Sequence, residues 1–291
     1  MELLSVPQVS FFFATFASFA VKVKELTVLI IAERINATRK RIGAAFAARD
    51  AALIQNEARR QAEAGADYID VNAALSPAAE LDCMIWAVET VRAATEKPLA
   101  IDSANPAVVR AGLARVPKGT AFLNSISGEE TRLAAMLPLA VEFETKLVAM
   151  AMDDSGMPTS TADRWRALEK IFAATDKAGI PRSRIFVDPL LRPVSTNPEQ
   201  LPQVMDMIRE IRAQGGGAGT VVGLSNVSFG LPSRRHLNRT FLAIAAAAGL
   251  SAAIIDPLEP DMMTTALAAA CLTGQDEYCM NYITAQRAGK L

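Results

Sequence analysis

The sequence predicts an α/β fold, a single (β/α)8 TIM barrel. Short apolar runs recur eight times along the chain, and segments with helical spacing lie between them. No low-complexity linker divides the 291 residues into separate domains. A barrel of this type commonly forms one domain of about this length. We therefore expect a barrel over residues 26–291, after an N-terminal extension of uncertain order over residues 1–25.

The predicted strands are short and rich in Ile, Val and Leu. Their apolar residues occupy both faces, which is typical of parallel strands that helices cover. In chain order, the strands are Thr27–Ala32, Tyr68–Val71, Leu99–Ile101, Ala121–Leu123, Lys146–Met152, Arg184–Val187, Thr220–Leu224 and Ala252–Ile255.

Five of the intervening segments have clear helical spacing. In the first, Leu53, Ile54 and Ala58 lie opposite a charged face, and the pattern stops at Gly65. An apolar stripe at this spacing indicates a helix that packs on a core. The predicted helices are Ala51–Ala64, Glu129–Val141, Ala162–Ala178, Glu199–Arg212 and Leu237–Ala248.

The N-terminal extension does not fit the barrel pattern. Ser10–Val21 is apolar and aromatic, but a membrane span needs about 20 apolar residues. The first charge is Glu2 and no basic residue precedes the segment, so a secretory signal is the less favoured interpretation. Two others stay open: translation starts further downstream, or the segment packs as an extra helix or strand under the barrel.

The composition argues against several classes of protein. Hydrophobic residues make up 51% and charged residues 21% of the chain, which permits a large core and disfavours disorder. With 30 basic and 31 acidic residues, the net charge is -1. This balance gives no electrostatic reason to expect binding to nucleic acid or to a membrane.

Cysteine and histidine are scarce. Cys83, Cys271 and Cys279 lack the spacing of a zinc motif, and His236 is the only histidine. We therefore expect no structural or catalytic zinc site, and we assign no residue to a metal. A disulfide framework is not expected either, so a reducing compartment fits best and we expect a cytoplasmic protein.

Polar residues stand at the C-terminal end of nearly every predicted strand, where a TIM barrel builds its active site. We expect these carboxylates and carboxamides to form one ring around the mouth of the barrel. In strand order, the set is Glu33 and Asn36, Asp70 and Asn72, Asp102, Asn124, Asp153 or Asp154, Asp188, Asn226 and Asp256.

The chemistry of this ring is selective. It holds no His, no Cys and no obvious Lys. The ring therefore lacks the nucleophile and adjacent base that acyl transfer or Schiff-base chemistry requires. A carboxylate can accept from a ring N–H and an exocyclic amine side by side, and an amide can both donate and accept. These groups suit a flat, nitrogen-rich heterocycle such as a pterin. Hard-metal binding by the aspartates is the alternative.

Six motifs resemble those of the pterin-binding methyltransferases, which move a methyl group between methyltetrahydrofolate and a corrinoid. This family includes the folate module of cobalamin-dependent methionine synthase. The resemblance runs in order from Leu29 to the end of the chain, and it implies a barrel like that of dihydropteroate synthase. The motifs are AERINATRK, YIDVNAA, IDSAN, LNSIS, VDPL and GLSNVS.

The resemblance also implies roles for individual residues. Asp102, Asn124 and Asp188 would grip the pterin edge, and Asn226 would reach the methyl-bearing N5. Of Asp70 and Asn72, one binds and the other supports. Further candidate contacts are Ser225, Glu33, Arg234 and Phe229.

Other roles remain open for several of these residues. Asp102 and Asp188 have the positions of helix N-caps, and a cap is the favoured role for Asp256. Glu33 could instead pair with Arg34 or with a cation at the bottom of the barrel. Arg234 could contact the folate tail, a partner protein or only solvent.

The implied mechanism assigns catalysis to Asn226 and Asp188. An amine anion is a poor leaving group, so N5 must gain a proton or a strong hydrogen bond as its bond to the methyl group breaks. Asn226 would supply that hydrogen bond, with Asp188 and Asp70 holding its amide or a bridging water. The substrate would be 5-methyltetrahydrofolate or tetrahydrofolate.

The corrinoid (cobalamin) would be bound by a separate protein. Carriers of the methionine-synthase type bind it through an Asp-x-His-x-x-Gly motif, and here the only histidine, His236, is preceded by Arg235 and followed by Leu237. Relatives in this family also suggest a homodimer. Two alternatives remain. A dihydropteroate synthase would carry a Ser-Thr-Arg-Pro loop where this chain has Asn72–Leu75, and a non-catalytic pterin-binding subunit would keep the ring without the transfer.

Overall fold

The computed structural model describes residues 28–291, and within them the chain folds as the predicted barrel. The extension predicted over residues 1–25 lies outside the described residues. The strands are β1 (Leu29–Asn36), β2 (Tyr68–Asn72), β3 (Leu99–Asp102), β4 (Phe122–Gly128), β5 (Lys146–Asp153), β6 (Ile185–Asp188), β7 (Gly219–Gly223) and β8 (Ala252–Ile255). Each pairs in parallel with the next, and β1 pairs with β8 to close the barrel.

Helices connect the strands and cover the barrel. The helices that the sequence predicted begin and end within three residues of their expected bounds. Other helices, shorter or less clearly amphipathic, were not predicted. The full set is α1 (Lys40–Ala48), α2 (Ala51–Glu63), α3 (Glu80–Arg92), α4 (Pro106–Leu113), α5 (Glu130–Glu142), α6 (Thr161–Lys177), α7 (Gln200–Gln214), α8 (Arg234–Ala248), α9 (Met262–Leu272) and α10 (Met280–Arg287).

Several strand ends differ from the predictions, and two of these differences affect the site. β1 continues to Asn36, so Glu33 lies inside the strand and not after it. β7 ends at Gly223, one residue earlier than predicted, and Leu224–Ser228 forms a 3-10 turn. Asn226 therefore projects from a separate turn beyond the strand.

A ring of apolar side chains fills the inside of the barrel. Tyr68 and Phe186 pack edge-on against Phe122, with ring centroids 4.8 and 5.0 Å apart from it. Such T-shaped contacts are favourable for aromatic rings. Smaller residues from the other strands complete the layer, which consists of Ile31, Tyr68, Ala100, Phe122, Val148, Phe186, Val221 and Ala252. This layer is a packed plug that separates the mouth of the barrel from its bottom.

The next inward layer lies two residues further along each strand, because side chains of a strand alternate between its two faces. That step moves from the apolar plug toward the C-terminal ends of the strands. The residues at these positions are Glu33, Asp70, Asp102, Asn124, Met150, Asp188, Gly223 and Ile254. The barrel thus places five polar side chains above one apolar floor. Among residues 28–291, no helix is both long and apolar enough to cross a bilayer.

Candidate active site

Two amide–carboxylate pairs organise the mouth of the barrel. The Asn72 amide donates to Asp102 at 2.8 Å, and the Asn124 amide donates to Asp70 at 3.1 Å. The Asn72 carbonyl oxygen accepts the backbone N–H of Ala74 at 3.1 Å. Because both ends of the Asn72 amide are occupied, this residue supports Asp102 and has little left to offer a ligand. Asp70 is 3% exposed and in turn supports Asn124.

Three side chains of the ring keep an acceptor available. Asp102 and Asp188 each use one carboxylate oxygen in a hydrogen bond within the protein, and Asn124 uses its amide nitrogen. The second oxygen of Asp102, the carbonyl oxygen of Asn124 and the second oxygen of Asp188 have no hydrogen-bond partner among the described residues. All three residues are half-buried. Since oxygens in such positions are normally hydrogen-bonded, the mouth presents three acceptors to a donor-rich ligand.

The loop that follows Asp188 holds its carboxylate, and a buried arginine holds that loop. The Asp188 carboxylate accepts the backbone N–H of Leu190 at 2.8 Å, so its local role is a turn and not a helix cap. The guanidinium of Arg164, only 1% exposed, donates to the neighbouring Pro189 carbonyl at 2.7 Å. Burial raises the pKa of Asp188 to about 6, although the Leu190 N–H and the Arg164 charge oppose that rise.

The other carboxyl groups of the mouth are also shifted upward. Burial raises the pKa of Asp70 well above its usual range, and the nearby Asp102 charge adds to the shift. Burial also raises the pKa of Asp102, while the hydrogen bond from Asn72 opposes it. Asp102 is not a helix cap, since Asn105 caps α4. Clusters of carboxyls with raised pKa values occur often at functional sites.

Asn226 occupies the 3-10 turn that follows β7, and its side chain is exposed. The amide lies over Gly223, where an added Cβ would sit 3.0 Å from the Asn226 nitrogen. The expected contacts of Asn226 with Asp188 and Asp70 are not present within the described residues. Ser225, next to Asn226, has its hydroxyl 3.3 Å from Glu33.

A network of arginines and carboxylates surrounds Glu33. Glu33 pairs with Arg39 at 2.8 Å and not with Arg34, which bonds to Glu57 and, at 2.8 Å, to Asp256. Burial raises the pKa of Glu33, and the Arg39 charge counters the rise. Asp256 caps a turn and not a helix, because one of its carboxylate oxygens accepts the Leu258 N–H at 3.0 Å and Asp261 stands at the N-cap of α9. Its other oxygen faces the two arginines.

A cavity of about 630 Å³ opens on the β7–β8–β1 side of the mouth. Arg39 and Phe229 line it, and Phe229 is 65% exposed. Arg39 was not among the site residues expected from the sequence, although it lies in the AERINATRK motif. The full lining is Glu33, Thr38, Arg39, Leu224, Ser225, Phe229, Arg234, Asn238, Ile255, Asp256, Glu259 and Met262.

The fifth strand departs from the predicted ring. Asp153 points toward α6, where Lys170 binds its carboxylate at 2.8 Å. This contact and that of Ser155 hold the pKa of Asp153 below its usual range. Asp154 is exposed and accepts the N–H of Glu130 at 3.3 Å. At the inward position β5 carries Met150, a position that the alternation from Val148 could have indicated.

The residues expected to stay outside the chemistry lie away from the inward layer. His236 is exposed and contacts Arg239, and Cys83 is buried.

Arg234, a candidate contact from the sequence, is not merely solvated. It contacts the Ser225 carbonyl at 2.6 Å and the Ser228 hydroxyl at 3.0 Å. In the part of the chain that the structure describes, no three His, Cys, Asp or Glu side chains are grouped as metal ligands.

Solved dihydropteroate synthases have the same fold. The chain superposes on the enzyme from Vibrio fischeri ES114 with a TM-score of 0.67 at 19% identity, covering 85% of this chain and 93% of that one. For the Xanthomonas albilineans enzyme in complex with 7,8-dihydropteroate, the TM-score is 0.63 at 22% identity, with 84% and 93% covered. At this identity the likeness establishes the fold alone.

Sequence comparison finds closer relatives. The chain is 34% identical over 266 residues to the methylcorrinoid:tetrahydrofolate methyltransferase of Eubacterium limosum, covering 91% of this chain and 98% of the relative. It is 29% identical over 245 residues to the methionine synthase of Mycobacterium leprae (strain TN), of which it spans only 20%.

The sequence profile of the pterin binding enzymes matches residues 32–256. These bounds run from β1 to the end of β8 and include the whole inward polar layer. The chain therefore belongs to the pterin binding enzyme family.

Proposed function

We propose that this protein is a methyltransferase that moves the N5-methyl group between 5-methyltetrahydrofolate and the cobalt of a corrinoid protein. The likeness to the Eubacterium limosum methyltransferase over nearly its whole length supports this activity. The observation that carries the proposal is the set of unpartnered acceptors on Asp102, Asn124 and Asp188 above the apolar plug. A reduced pterin presents ring N–H groups and an exocyclic amine, and these are the donors that such acceptors need.

The roles of the ring residues follow from their contacts. Asp188 and Asp102 each offer a carboxylate oxygen to the pterin edge, and Asn124 offers its carbonyl oxygen because Asp70 holds its amide group. Asn72 orients Asp102. Prior fixing of these acceptors by neighbours reduces the reorganisation that binding requires. The flat ring would rest over Met150 and Ile254, which supply the apolar part of the same layer.

Catalysis falls to Asn226. As the bond between N5 and the methyl group breaks, electron density builds on N5, and a donor aimed at that atom stabilises the transition state. Asn226 is exposed at the rim, on a turn separate from the binding ring. It can therefore approach N5 without giving up a role in holding the pterin. The corrinoid supplies the cobalt that receives or donates the methyl group.

The partner is a separate corrinoid protein, since the chain has no Asp-x-His-x-x-Gly motif around its only histidine. The cavity lined by Phe229, Ser225 and Glu33 would take the part of the folate beyond the pterin. The resemblance to the methyltransferases also makes a cytoplasmic homodimer part of this proposal. The even balance of 30 basic and 31 acidic residues gives no support for nucleic acid as a further partner.

Neither alternative activity is favoured by a feature of the structure. A dihydropteroate synthase would need its Ser-Thr-Arg-Pro loop after β2, and Asn72–Leu75 stands there instead. A non-catalytic subunit would leave the exposed position of Asn226 without a purpose.

The activity is tested by mixing the pure protein with methyltetrahydrofolate and free cob(I)alamin under strict reduction. We expect the cobalt absorption to change to that of methylcobalamin at a rate proportional to protein concentration. A matched reaction without folate controls for chemical methylation. An unchanged spectrum, while the folate still binds, would favour the non-catalytic subunit.

Two substitutions separate binding from catalysis. We expect Asn226→Ala to keep the folate Kd within about threefold but to lower the transfer rate by about 100-fold, the usual effect of removing a transition-state donor. Asp188→Ala should weaken folate binding by about 10- to 100-fold, since it removes a charged hydrogen bond. Calorimetry and single-turnover rates measure the two effects. Asp154→Ala, an exposed carboxylate outside the ring, is the control, and the reverse pattern would mean that the two roles are exchanged.

Folate affinity should depend on pH through Asp188. Its pKa of about 6 means that the acceptor form predominates above pH 6 and is lost below it. We expect the Kd to rise as pH falls from 7 to 5, approaching about tenfold per pH unit at the acid end. Asp188→Asn should bind more weakly at pH 7 and show a shallower dependence, with Asp102 left to titrate. Equal slopes for both proteins would contradict this role.

The raised pKa of Asp188 also makes the stability of the folate-free protein depend on pH. Because burial favours the protonated form, the contribution of Asp188 is fully present below the unfolded pKa of about 4 and is lost as pH rises through about 6. The ionised form used for binding is therefore the less stable one in the free protein, and folate binding should relieve that cost.

A further inference from the structure

The N-terminus of α8 has two locally unfavourable features. Ser233, at the N-cap, has φ 52° and ψ 38°, a left-handed conformation that serine rarely adopts. Arg234 and Arg235 begin the helix, and its first turn carries no acidic residue. Cations are disfavoured there because the helix dipole makes the N-terminus positive. Unfavourable local conformations persist only where contacts with the surrounding structure hold them in place.

The structure shows one use for Arg234. Its guanidinium donates to the Ser225 carbonyl at 2.6 Å and to the Ser228 hydroxyl at 3.0 Å. These two residues flank Asn226 in the 3-10 turn. The Ser225 carbonyl belongs to the peptide unit that joins Ser225 to Asn226, so holding it limits the backbone rotation that would swing the amide.

A second chain of contacts anchors the far side of the turn. The Ser228 hydroxyl, fully buried, donates to the Asn238 carbonyl oxygen at 2.7 Å. The Asn238 amide donates to Glu259 at 3.3 Å. Ser228 therefore accepts from Arg234 and donates into the body of α8, which ties the turn to the helix from which Arg234 comes.

We propose that Arg234 is a positioning residue that clamps the Leu224–Ser228 turn and so fixes the direction of the Asn226 amide. This inference rests on the proposed function for its catalytic consequence. It differs from the expectation that Arg234 contacts the folate tail or a partner, because two of its nitrogens already bond to the turn. The guanidinium carbon also lies 5.8 Å from the centroid of the exposed Phe229 ring, which extends the same contact surface.

The test compares Arg234→Met, Arg234→Lys and the control Arg235→Met, whose side chain is the exposed neighbour at the same helix end. In the folate-free protein, we expect amide hydrogen exchange in residues 224–229 to rise about tenfold in Arg234→Met, since the turn then opens more often. Arg234→Lys, which keeps one donor, should be intermediate, and Arg235→Met should match wild type.

Kinetics supply the second readout. We expect Arg234→Met to lower the transfer rate about tenfold or more with folate Kd within about threefold, and to add nothing in an Asn226→Ala background, because coupled residues are non-additive. A large rise in Kd with an unchanged rate would show that Arg234 contacts the ligand. An additive effect would show that Arg234 acts independently of Asn226. Either result would overturn the proposal. Unchanged exchange would overturn it as well. A wild-type protein without transfer activity would defeat the proposed function, whereas the exchange experiment would still decide whether the clamp exists.

Discussion

The site depends on one constraint, the alternation of side chains along strands that close into a barrel. Edge-to-face packing of Tyr68, Phe122 and Phe186 plugs the interior. Once that layer is set, the residue two positions further on each strand must also face inward. Asp102 and Asn124 are such residues, and they are in register on neighbouring strands. The apolar core thus determines where the polar chemistry lies, and no flexible loop has to position the binding ring.

Burial above this plug makes the carboxyl groups costly to ionise. Because of that cost, the site favours ligands that donate hydrogen bonds to these groups. The Asn72 amide satisfies one oxygen of Asp102 and leaves the other available. A ligand that donates to such oxygens supplies the hydrogen bonds that buried polar groups need. Asp188, with a pKa of about 6, lies close to the balance between its two forms. The site is therefore arranged for a neutral, donor-rich ring, and its hydrogen bonds strengthen with ionisation.

The fold and the main ring could be predicted from the sequence, because apolar runs and polar strand ends are local features. Asp102, Asn124 and Asp188 were found in this way. Asp153 was assigned wrongly, because it lies on the opposite face of β5 from the inward Val148 and faces α6. The pairing of Asp256 with Arg34 joins residues 222 positions apart. Contacts of that kind, like the full use of the Asn72 amide, exist only after the barrel has closed.

The most direct test of the central claim is a crystal structure of the protein with bound 5-methyltetrahydrofolate. We expect the pterin to lie above the aromatic plug, with donors within hydrogen-bond distance of Asp102, Asn124 and Asp188 and with N5 within reach of Asn226. A pterin bound elsewhere, with those three acceptors still facing solvent, would contradict the claim.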